Sequence, residues 1–175
     1  MINIARMVND DWRFIPFKVF MSKPIVEITK EITFEAAHYL HNPQWDRAKN
    51  LEVFKKCSGF RKDDPKAIHY PHGHSYRLRV TIKGSVHSET GFVMDFKVLK
   101  GILEKEIFDR LDHRFINKET EPFKNNLKFQ TTVENLLLVI WKWLDPAIKR
   151  EKAALYEITL WETPTSFATY RGNKA

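Results

Sequence analysis

The chain has 175 residues, of which 43% are hydrophobic, so it is long and apolar enough to form the core of one ordinary domain. This composition excludes global disorder, and no apolar run reaches the roughly 18–20 residues that a membrane-spanning helix needs. The single cysteine cannot form an intrachain disulfide, and the first residues lack the apolar stretch of a signal peptide. We therefore expect a cytoplasmic protein with no membrane partner.

The charge balance is basic, with 29 Lys and Arg residues against 22 Asp and Glu residues and a net charge of +7. A positive surplus favours an anionic partner, such as nucleic acid or a phosphorylated metabolite, although a solvated basic surface explains it equally well. The chain has no arginine-rich tail or basic repeat. Its one basic stripe, formed by Arg77, Arg79 and Lys83, lies on an outward strand face, so we expect no nucleic-acid partner.

The chain opens with an irregular segment, residues 1–24, that mixes aromatic residues with charges. The aromatic residues are Trp12, Phe14, Phe17 and Phe20. This segment is compatible with an edge element, with an arm that docks on a partner, and with residues upstream of a native start at Met21. Residues 25–173 then form the expected domain.

Two alternating segments predict half-buried strands. The first begins at Val26, and its inward positions are Ile28, Ile32, Phe34 and Ala36. The second places Tyr76, Leu78, Val80 and Ile82 inward. Residues 41–71 between them read as a long loop with a helical turn near 46–54, and a loop of this length is usually functional.

The second half of the chain predicts two helices followed by two strands. Apolar residues at a 3.6-residue spacing predict a helix over 96–110 and a second that begins at Thr131 and ends near Pro146 or a few residues later. Short strands follow at about 154–162 and 167–171. The resulting order, ββααββ, predicts an α+β domain in which two helices cover one face of a four-stranded antiparallel sheet.

Three histidines fall where the first two strands would meet. His38 is the last residue of the first predicted strand and occupies an inward-facing position. His72 and His74 are at the start of the second predicted strand and also occupy inward-facing positions. If the two strands pair, three imidazoles lie at one end of the inner face, and this set suits a zinc site with an open fourth position. Strand capping and ordinary loop hydrogen bonds are the alternative.

Three further places carry reactive side chains. Cys57 is flanked by Lys55 and Lys56, whose charges favour a thiolate, although a free cysteine without function is also compatible. Asp112 and His113 are a candidate acid–base pair, but adjacent residues more often form a solvated turn. Glu162 shares the inward-facing positions of a late strand, where a carboxylate needs a partner or a ligand with two adjacent donors. The alternative is that the strand has ended before Glu162 and leaves it exposed.

The motif Thr131-x-x-Glu134 has the form of a helix capping box. Capping alone explains this motif well. Its additional use would be to present backbone amides and hydroxyls to a ligand at the start of the helix.

Together these motifs resemble the 6-pyruvoyl-tetrahydropterin synthase and 6-carboxytetrahydropterin synthase family. The matching stretches, in the family's order, are residues 34–38, 50–57, 72–76, 91–96, 111–113, 131–135 and 162–163. The resemblance implies the tunnelling fold, in which subunits pair their sheets into a barrel. It also implies a homo-oligomer, typically a hexamer formed as a dimer of trimers, with active sites between subunits.

The resemblance also implies the roles of individual residues. His38, His72 and His74 correspond to the zinc ligands, and Cys57, Asp112 and His113 correspond to the catalytic thiol and its acid–base partners. The pterin would be bound by Glu162 with the help of Thr131 and Thr132, whereas Glu134 either contributes or only caps the helix. The implied substrate is 7,8-dihydroneopterin triphosphate, an anion that suits the basic chain.

The implied product is less sharply defined. Asp95-Phe96 and Ser75-Tyr76 resemble the branch that forms 6-carboxytetrahydropterin for queuosine and related deazapurines, which we expect here. Residues 50–57 and 131–135 resemble the branch that forms 6-pyruvoyltetrahydropterin for tetrahydrobiopterin. A non-catalytic zinc- or pterin-binding protein of the same fold is a third reading.

One departure from the family bears on the site. Fourteen residues, 58–71, separate Cys57 from His72, which is a longer connection than the family has. The inserted residues include Asp63 and Asp64, either of which is an alternative base if the insertion displaces the thiol.

Overall fold

The structure, a computed structural model, describes residues 24–61, 63, 66 and 69–173. The strands are β1 (Ile25–His38), β2 (His72–Ser85), β3 (Arg114–Phe115), β4 (Ala154–Thr163) and β5 (Ser166–Tyr170). The helices are α1 (Arg47–Phe54), α2 (Phe96–Leu103), α3 (Asp109–Leu111), α4 (Ile116–Glu119) and α5 (Val133–Arg150). A 3₁₀ turn, Lys55–Cys57, follows α1, and a π-helical turn, Glu104–Phe108, joins α2 to α3. This order confirms the α+β fold class.

The sheet has the strand order β3-β1-β2-β4-β5. Strands β1, β2, β4 and β5 are antiparallel neighbours, as predicted. The fifth strand, β3, is an addition to the four that were predicted, and it pairs parallel to β1 at Ala36 and Ala37. An alternating pattern cannot reveal a strand of two residues, because alternation needs at least four positions to be recognised.

The long β1–β2 pair sets the geometry of the site. Its register runs from Ile25 opposite Ser85 to His38 opposite His72. Because side chains alternate between the two faces, the buried residues Phe34 and Tyr76 lie on the same face as the histidines. The two strands therefore bring their histidine-bearing ends together at one end of the inner face.

The core lies between this face and the two long helical segments. It is made of Leu78, Val80, Ile82, Leu99, Leu103, Ile107, Leu136, Ile140, Leu144, Ile158 and Leu160, all of which are fully buried. Each such side chain contributes about 1.5–3 kcal/mol relative to an exposed position. The packed core makes a rigid base for the residues at the rim of the sheet.

The start of α5 differs from the prediction. The N-cap residue is Thr132, whose hydroxyl accepts the amide of Asn135, and the helix begins at Val133. The predicted capping box between Thr131 and Glu134 is not formed, because the hydroxyl of Thr131 donates instead to the carbonyl of Tyr39. The helix continues through Pro146 and ends at Arg150.

The interpretation of residues 1–24 as an extension falls almost wholly outside the described residues, which begin at Pro24. Among the residues that the structure describes, no helix is both long enough and apolar enough to cross a membrane.

Candidate active site and metal centre

The side chains of His38, His72 and His74 converge where β1 and β2 meet, as their parity predicted. One ligating nitrogen from each lies within 4.8 Å of the other two. The Nε2 atoms of His38 and His72 are 3.1 Å apart, and the ring centroids are separated by 4.6–5.1 Å. The three imidazoles therefore point at one small volume.

The tautomer of His38 follows from its hydrogen bond. Its Nδ1 lies 2.8 Å from the carbonyl of Thr131, and because a carbonyl can only accept, Nδ1 must carry the proton. The Nε2 lone pair is then directed at the other two histidines. Burial lowers the pKa of His38 to about 3; the bond to Thr131 opposes this shift, and His72 and His74 add to it. The ring is thus held in the neutral form that binds metals.

His72 and His74 are also compatible with metal binding. Burial, followed by the charge of His74, lowers the pKa of His72. Within the described part of the chain, His72 Nδ1 and His74 Nε2 are buried atoms without a hydrogen-bond partner. Buried nitrogens left unpaired are costly. Three converging imidazoles, two of which have a pKa lowered by burial, are a donor set that fits zinc.

The side chain of Glu162, on β4, lies beside the three histidines, as predicted from its inward-facing position on that strand. Its Oε1 lies 3.3 Å from His38 Nε2 and 3.8 Å from His74 Nε2. Burial raises the pKa of Glu162, His74 opposes this, and the charge of Glu134 raises it further. A half-buried carboxylate beside the histidines is therefore available to a ligand that presents N–H donors.

Cys57 remains beside this cluster in spite of the inserted residues. It ends the 3₁₀ turn, and its carbonyl accepts the amide of Leu40, just beyond β1, at 2.6 Å. Burial raises the pKa of the Cys57 thiol, and the negative charge of Glu162 raises it further. The expectation that Lys55 and Lys56 would lower this pKa is wrong for this structure, because both lysines are exposed while the thiol is half-buried.

Tyr76 is a member of the site that sequence reasoning missed. Its ring is fully buried, and its centroid lies 5.6 Å from that of His74 and 6.2 Å from that of His38. Among the described residues, its hydroxyl has no hydrogen-bond partner. Burial, Glu162 and Cys57 all raise the pKa of this hydroxyl. Its inward parity, two residues after His74, was the only available signal.

Asp112 and His113 form a side-chain pair, with 2.9 Å between Asp112 Oδ2 and His113 Nδ1. Adjacent residues reach this geometry here because His113 has a positive φ of 56°. The amide of Glu35 binds Asp112 Oδ1 and lowers the pKa of this carboxyl, and His113 lowers it further, against an opposing effect of burial. The pair is therefore anchored on β1.

The imidazole of His113 lies at the surface of its own chain. The His113 side chain is 79% exposed and lines a shallow depression with Glu35, Ala37 and His74. No hydrogen bond or ion pair among the described residues joins His113 or Asp112 to Cys57. The structure therefore leaves the imidazole of His113 accessible from outside the chain.

The start of α5 contributes in a different way from that expected. Thr131 is fully buried, and both its hydroxyl and its carbonyl are bonded within the protein, to Tyr39 and His38. The hydroxyl of Thr132 caps α5. Glu134 acts on Glu162 through its charge. Thr131 thus orients a histidine of the candidate metal site, a function that the sequence pattern did not reveal.

Two amide side chains fix the chain just after His38. Asn117 accepts the amide of Tyr39 at 2.9 Å and donates to its carbonyl at 3.0 Å. Gln130 does the same for His41, at 2.9 and 2.8 Å. No sequence signal predicts this role, because Asn and Gln in connecting segments usually indicate only polarity.

Of the two alternative bases in the insertion, Asp63 pairs with a neighbouring arginine instead. The carboxylate of Asp63 is exposed and pairs with Arg61, whose guanidinium also lies over the ring of Tyr70. Asp64 lies outside the described residues.

Comparison with known proteins adds independent findings. A family model described as 6-pyruvoyl tetrahydropterin synthase matches residues 27–173. The chain is 37% identical to a 6-pyruvoyl tetrahydrobiopterin synthase of Drosophila melanogaster over 86% of this chain and 82% of the relative. It is 30% identical to a 6-carboxy-5,6,7,8-tetrahydropterin synthase of Haemophilus influenzae over 83% of this chain and 98% of that relative. A solved Caenorhabditis elegans 6-pyruvoyl tetrahydropterin synthase superposes with a TM-score of 0.70 at 31% identity, covering 86% and 97% of the two chains.

Proposed function

Because the chain belongs to the 6-pyruvoyl tetrahydropterin synthase family, whose members are lyases that eliminate triphosphate, we propose that it converts 7,8-dihydroneopterin triphosphate to 6-pyruvoyltetrahydropterin with the help of zinc. The observation that carries this proposal is the convergence of three imidazoles beside a thiol and a carboxylate. The basic surplus of the chain suits a triphosphate.

The choice of product rests on the comparisons. The Drosophila relative is 37% identical to this chain, whereas the Haemophilus 6-carboxy relative is 30% identical. The 6-carboxy product expected from Ser75-Tyr76 and Asp95-Phe96 is therefore not confirmed, and the 6-pyruvoyl product is the better supported. The 6-carboxy product stays a second candidate, because enzymes of that name are similar over almost their whole length.

His38, His72 and His74 would hold the zinc, which when bound acts as a Lewis acid toward oxygens of the substrate side chain. The protein prepares this site in advance. The carbonyl of Thr131 fixes the proton of His38 on Nδ1, and burial keeps the rings of His38 and His72 neutral. His38 therefore needs neither deprotonation nor a change of tautomer before it binds.

Cys57 and His113 are proposed to move protons at the substrate side chain. The raised pKa of Cys57 keeps its sulfur protonated at neutral pH in the free protein, so thiolate formation requires a base or a nearby positive charge. The imidazole of His113, oriented by Asp112, has the chemistry of such a base. Because His113 faces outward from its own chain, we assign it to the site of a neighbouring subunit.

The shape of the sheet supports an oligomer. Strand β1 pairs with β3 only at Ala36 and Ala37, so among the described residues the outer edge of β1 over 25–35 has no partner strand. An exposed strand edge is a template for pairing with another chain. Pairing of such edges between subunits would close the barrel of the proposed hexamer.

Glu162 and Tyr76 are proposed to bind the pterin. The carboxylate of Glu162 accepts two adjacent N–H donors, such as those of a guanidine-like heterocycle. The hydroxyl of Tyr76 is buried, lacks a partner among the described residues and lies close enough to Glu162 to be affected by its charge. A ligand in contact with Glu162 would satisfy this hydroxyl.

The test is a single reaction analysed for product. Zinc-loaded protein is incubated with 7,8-dihydroneopterin triphosphate, and the pterin products are identified by mass spectrometry. We expect 6-pyruvoyltetrahydropterin and free triphosphate from the wild type, and little of either from Cys57→Ala. Formation of 6-carboxytetrahydropterin and acetaldehyde would establish the second candidate. Tight pterin and zinc binding without turnover would establish a non-catalytic binding protein.

A further inference from the structure

A cleft lies between β2 and β4 at the end of the sheet that carries the histidines. The two strands pair from Lys83 opposite Ala154 to Arg77 opposite Trp161, but β2 begins five residues earlier, at His72. Among the described residues, no pairing between these strands continues beyond Arg77. The cleft has a volume of about 570 Å³, and its lining includes His74, Ser75, Arg77, Trp161, Glu162 and Thr163. This volume is within the range of small-molecule sites, roughly 300–1,000 Å³.

The cleft joins the two faces of the sheet. Because side chains alternate along each strand, His74 and Glu162 belong to the inner face, whereas Arg77 and Trp161 belong to the outer face. The cleft therefore has a carboxylate on one side and a guanidinium on the other. A ligand that suits both sides carries N–H donors at one end and negative charge at the other. The proposed function uses only the inner side.

The guanidinium of Arg77 is held in place but is not neutralised. Its Cζ lies 4.1 Å from the centre of the Trp161 ring, and Trp161 is only 8% exposed. Stacking occupies the flat face of a guanidinium and leaves the N–H donors in its plane free. Among the described residues, no carboxylate or other acceptor pairs with these donors. A half-buried, pre-oriented fork of this kind suits bidentate binding of a phosphate.

The opposite wall of the cleft supplies a second donor. The hydroxyl oxygen of Thr163 accepts the amide of Ser166 at 3.1 Å. A hydroxyl that accepts still has its own proton to donate, and no acceptor for that proton lies among the described residues. The hydroxyl of Ser75 differs, because it donates to Glu35 at 2.8 Å. The donors left for an anion are therefore those of Arg77 and Thr163.

Arg79 is a built-in comparison, because it shares the outer face and the same indole ring. Its Cζ lies 5.0 Å from the centre of the Trp161 ring. Its Nε, however, donates to Glu31 Oε1 at 2.7 Å, and it lines a separate depression that also contains Glu27 and Glu157. The charge of Arg79 is thus compensated in acidic surroundings, whereas that of Arg77 is available to an anion.

We propose that Arg77, stacked on Trp161, binds the phosphate chain of the substrate, with the hydroxyl of Thr163 as a second donor. Because the substrate is taken to be a pterin triphosphate, this role of Arg77 rests on the proposed function. Arg77 lies three residues after His74, about 10 Å along an extended strand. A phosphate chain that starts near the histidines can therefore extend through the cleft to the guanidinium.

The test measures phosphate binding without catalysis. Inorganic triphosphate and 7,8-dihydroneopterin, which has no phosphate, are each titrated calorimetrically into zinc-loaded wild type, Arg77→Gln and Arg79→Gln. Hydrogen bonds between charged groups are the strong ones, so Arg77→Gln should weaken triphosphate binding by about 10-fold or more. It should leave dihydroneopterin binding unchanged. Arg79→Gln removes the same charge from the same indole ring and should change neither. Unchanged triphosphate binding in Arg77→Gln, or equal weakening in both variants, would overturn the proposal.

Steady-state kinetics separate this role of Arg77 from the proposed function. With 7,8-dihydroneopterin triphosphate as substrate, Arg77→Gln should raise KM by about 10-fold or more, and Arg79→Gln should leave KM unchanged. If the wild type binds inorganic triphosphate through Arg77 but has no turnover, the phosphate site stands and the proposed function fails. If the wild type turns over and Arg77→Gln changes neither KM nor triphosphate binding, only the phosphate site fails.

Discussion

At the scale of single residues, the proposed metal centre would depend on His72 and His74 as much as on His38, but the three histidines differ in their other contacts. His38 is fully buried and bonded to Thr131, so its loss would disturb packing as well as metal binding. His72 is only half-buried, with a nitrogen left unpaired among the described residues. It is therefore the better residue with which to separate metal binding from folding.

We predict that His72→Ala lowers zinc affinity by more than about 100-fold, because even the loss of a group behind a ligand costs roughly 10–100-fold. The folded state should persist. Zinc per chain, measured by competition with a coloured chelator, checks this, with His87→Ala as the exposed control. Unchanged zinc affinity in His72→Ala would remove this residue from the metal site.

The single cysteine allows a second residue-scale prediction. Glu162 raises the pKa of Cys57 through its negative charge, so Glu162→Gln should lower that pKa and increase the thiolate fraction near pH 8. Because the thiolate is the reactive form, alkylation by iodoacetamide should be faster in Glu162→Gln than in wild type. Glu157→Gln, on the same strand but paired with Arg171, should leave the rate unchanged. A slower reaction in Glu162→Gln would contradict the proximity of the two groups.

The residues of the site were not equally predictable from the sequence. The alternation of inward- and outward-facing residues along the strands correctly predicted that His38, His72, His74 and Glu162 face inward. This alternation is a local property of each strand. The pairing of Asp112 with His113 depends on a positive φ, and the bonds made by Thr131 depend on the approach of α5 to the end of β1. These features come from tertiary contacts, which residue spacing does not encode.

At the scale of elements, the strands were predicted better than the connections between them. Alternating segments gave β1, β2, β4 and β5 because one face of each is buried. Strand β3 has two residues and no pattern. The first helical segment was predicted over 96–110, and the structure ends it at Leu111, but periodicity alone could not show its π-helical turn.

The connection after β1 carries an element-scale prediction. Asn117 satisfies both backbone groups of Tyr39 and is only 7% exposed. Asn117→Leu leaves the amide of Tyr39 without its partner, whereas the carbonyl keeps the hydroxyl of Thr131, and one unsatisfied buried group costs about 1–3 kcal/mol. We expect a lower free energy of unfolding by an amount in this range, measured by urea denaturation, together with weaker zinc binding. Asn126→Leu, an exposed control, should change neither quantity.

If Asn117→Leu lost stability while its zinc affinity stayed at the wild-type value, the segment after His38 would have no influence on the metal centre. That result would limit Asn117 to a purely structural role.

At the scale of the whole molecule, we propose that the active site is divided between chains. The cluster of three histidines, Cys57 and Glu162 belongs to one chain, whereas His113 faces outward. Cys57→Ala and His113→Ala should each be nearly inactive alone. Mixed oligomers formed by refolding the two variants together should recover about a quarter of the wild-type rate if subunits combine at random. No recovery would show that both groups serve one chain's own site.

The proposed zinc-dependent lyase activity is tested most directly by titrating zinc into metal-free protein. The quantity measured is the release of triphosphate from 7,8-dihydroneopterin triphosphate. We predict that the metal-free protein releases none and that the rate rises until about one zinc is bound per chain, consistent with a single three-histidine site. His72→Ala should show no such rise at the same zinc concentrations. Full activity without metal, or no release by the zinc-saturated wild type, would contradict a zinc-dependent lyase.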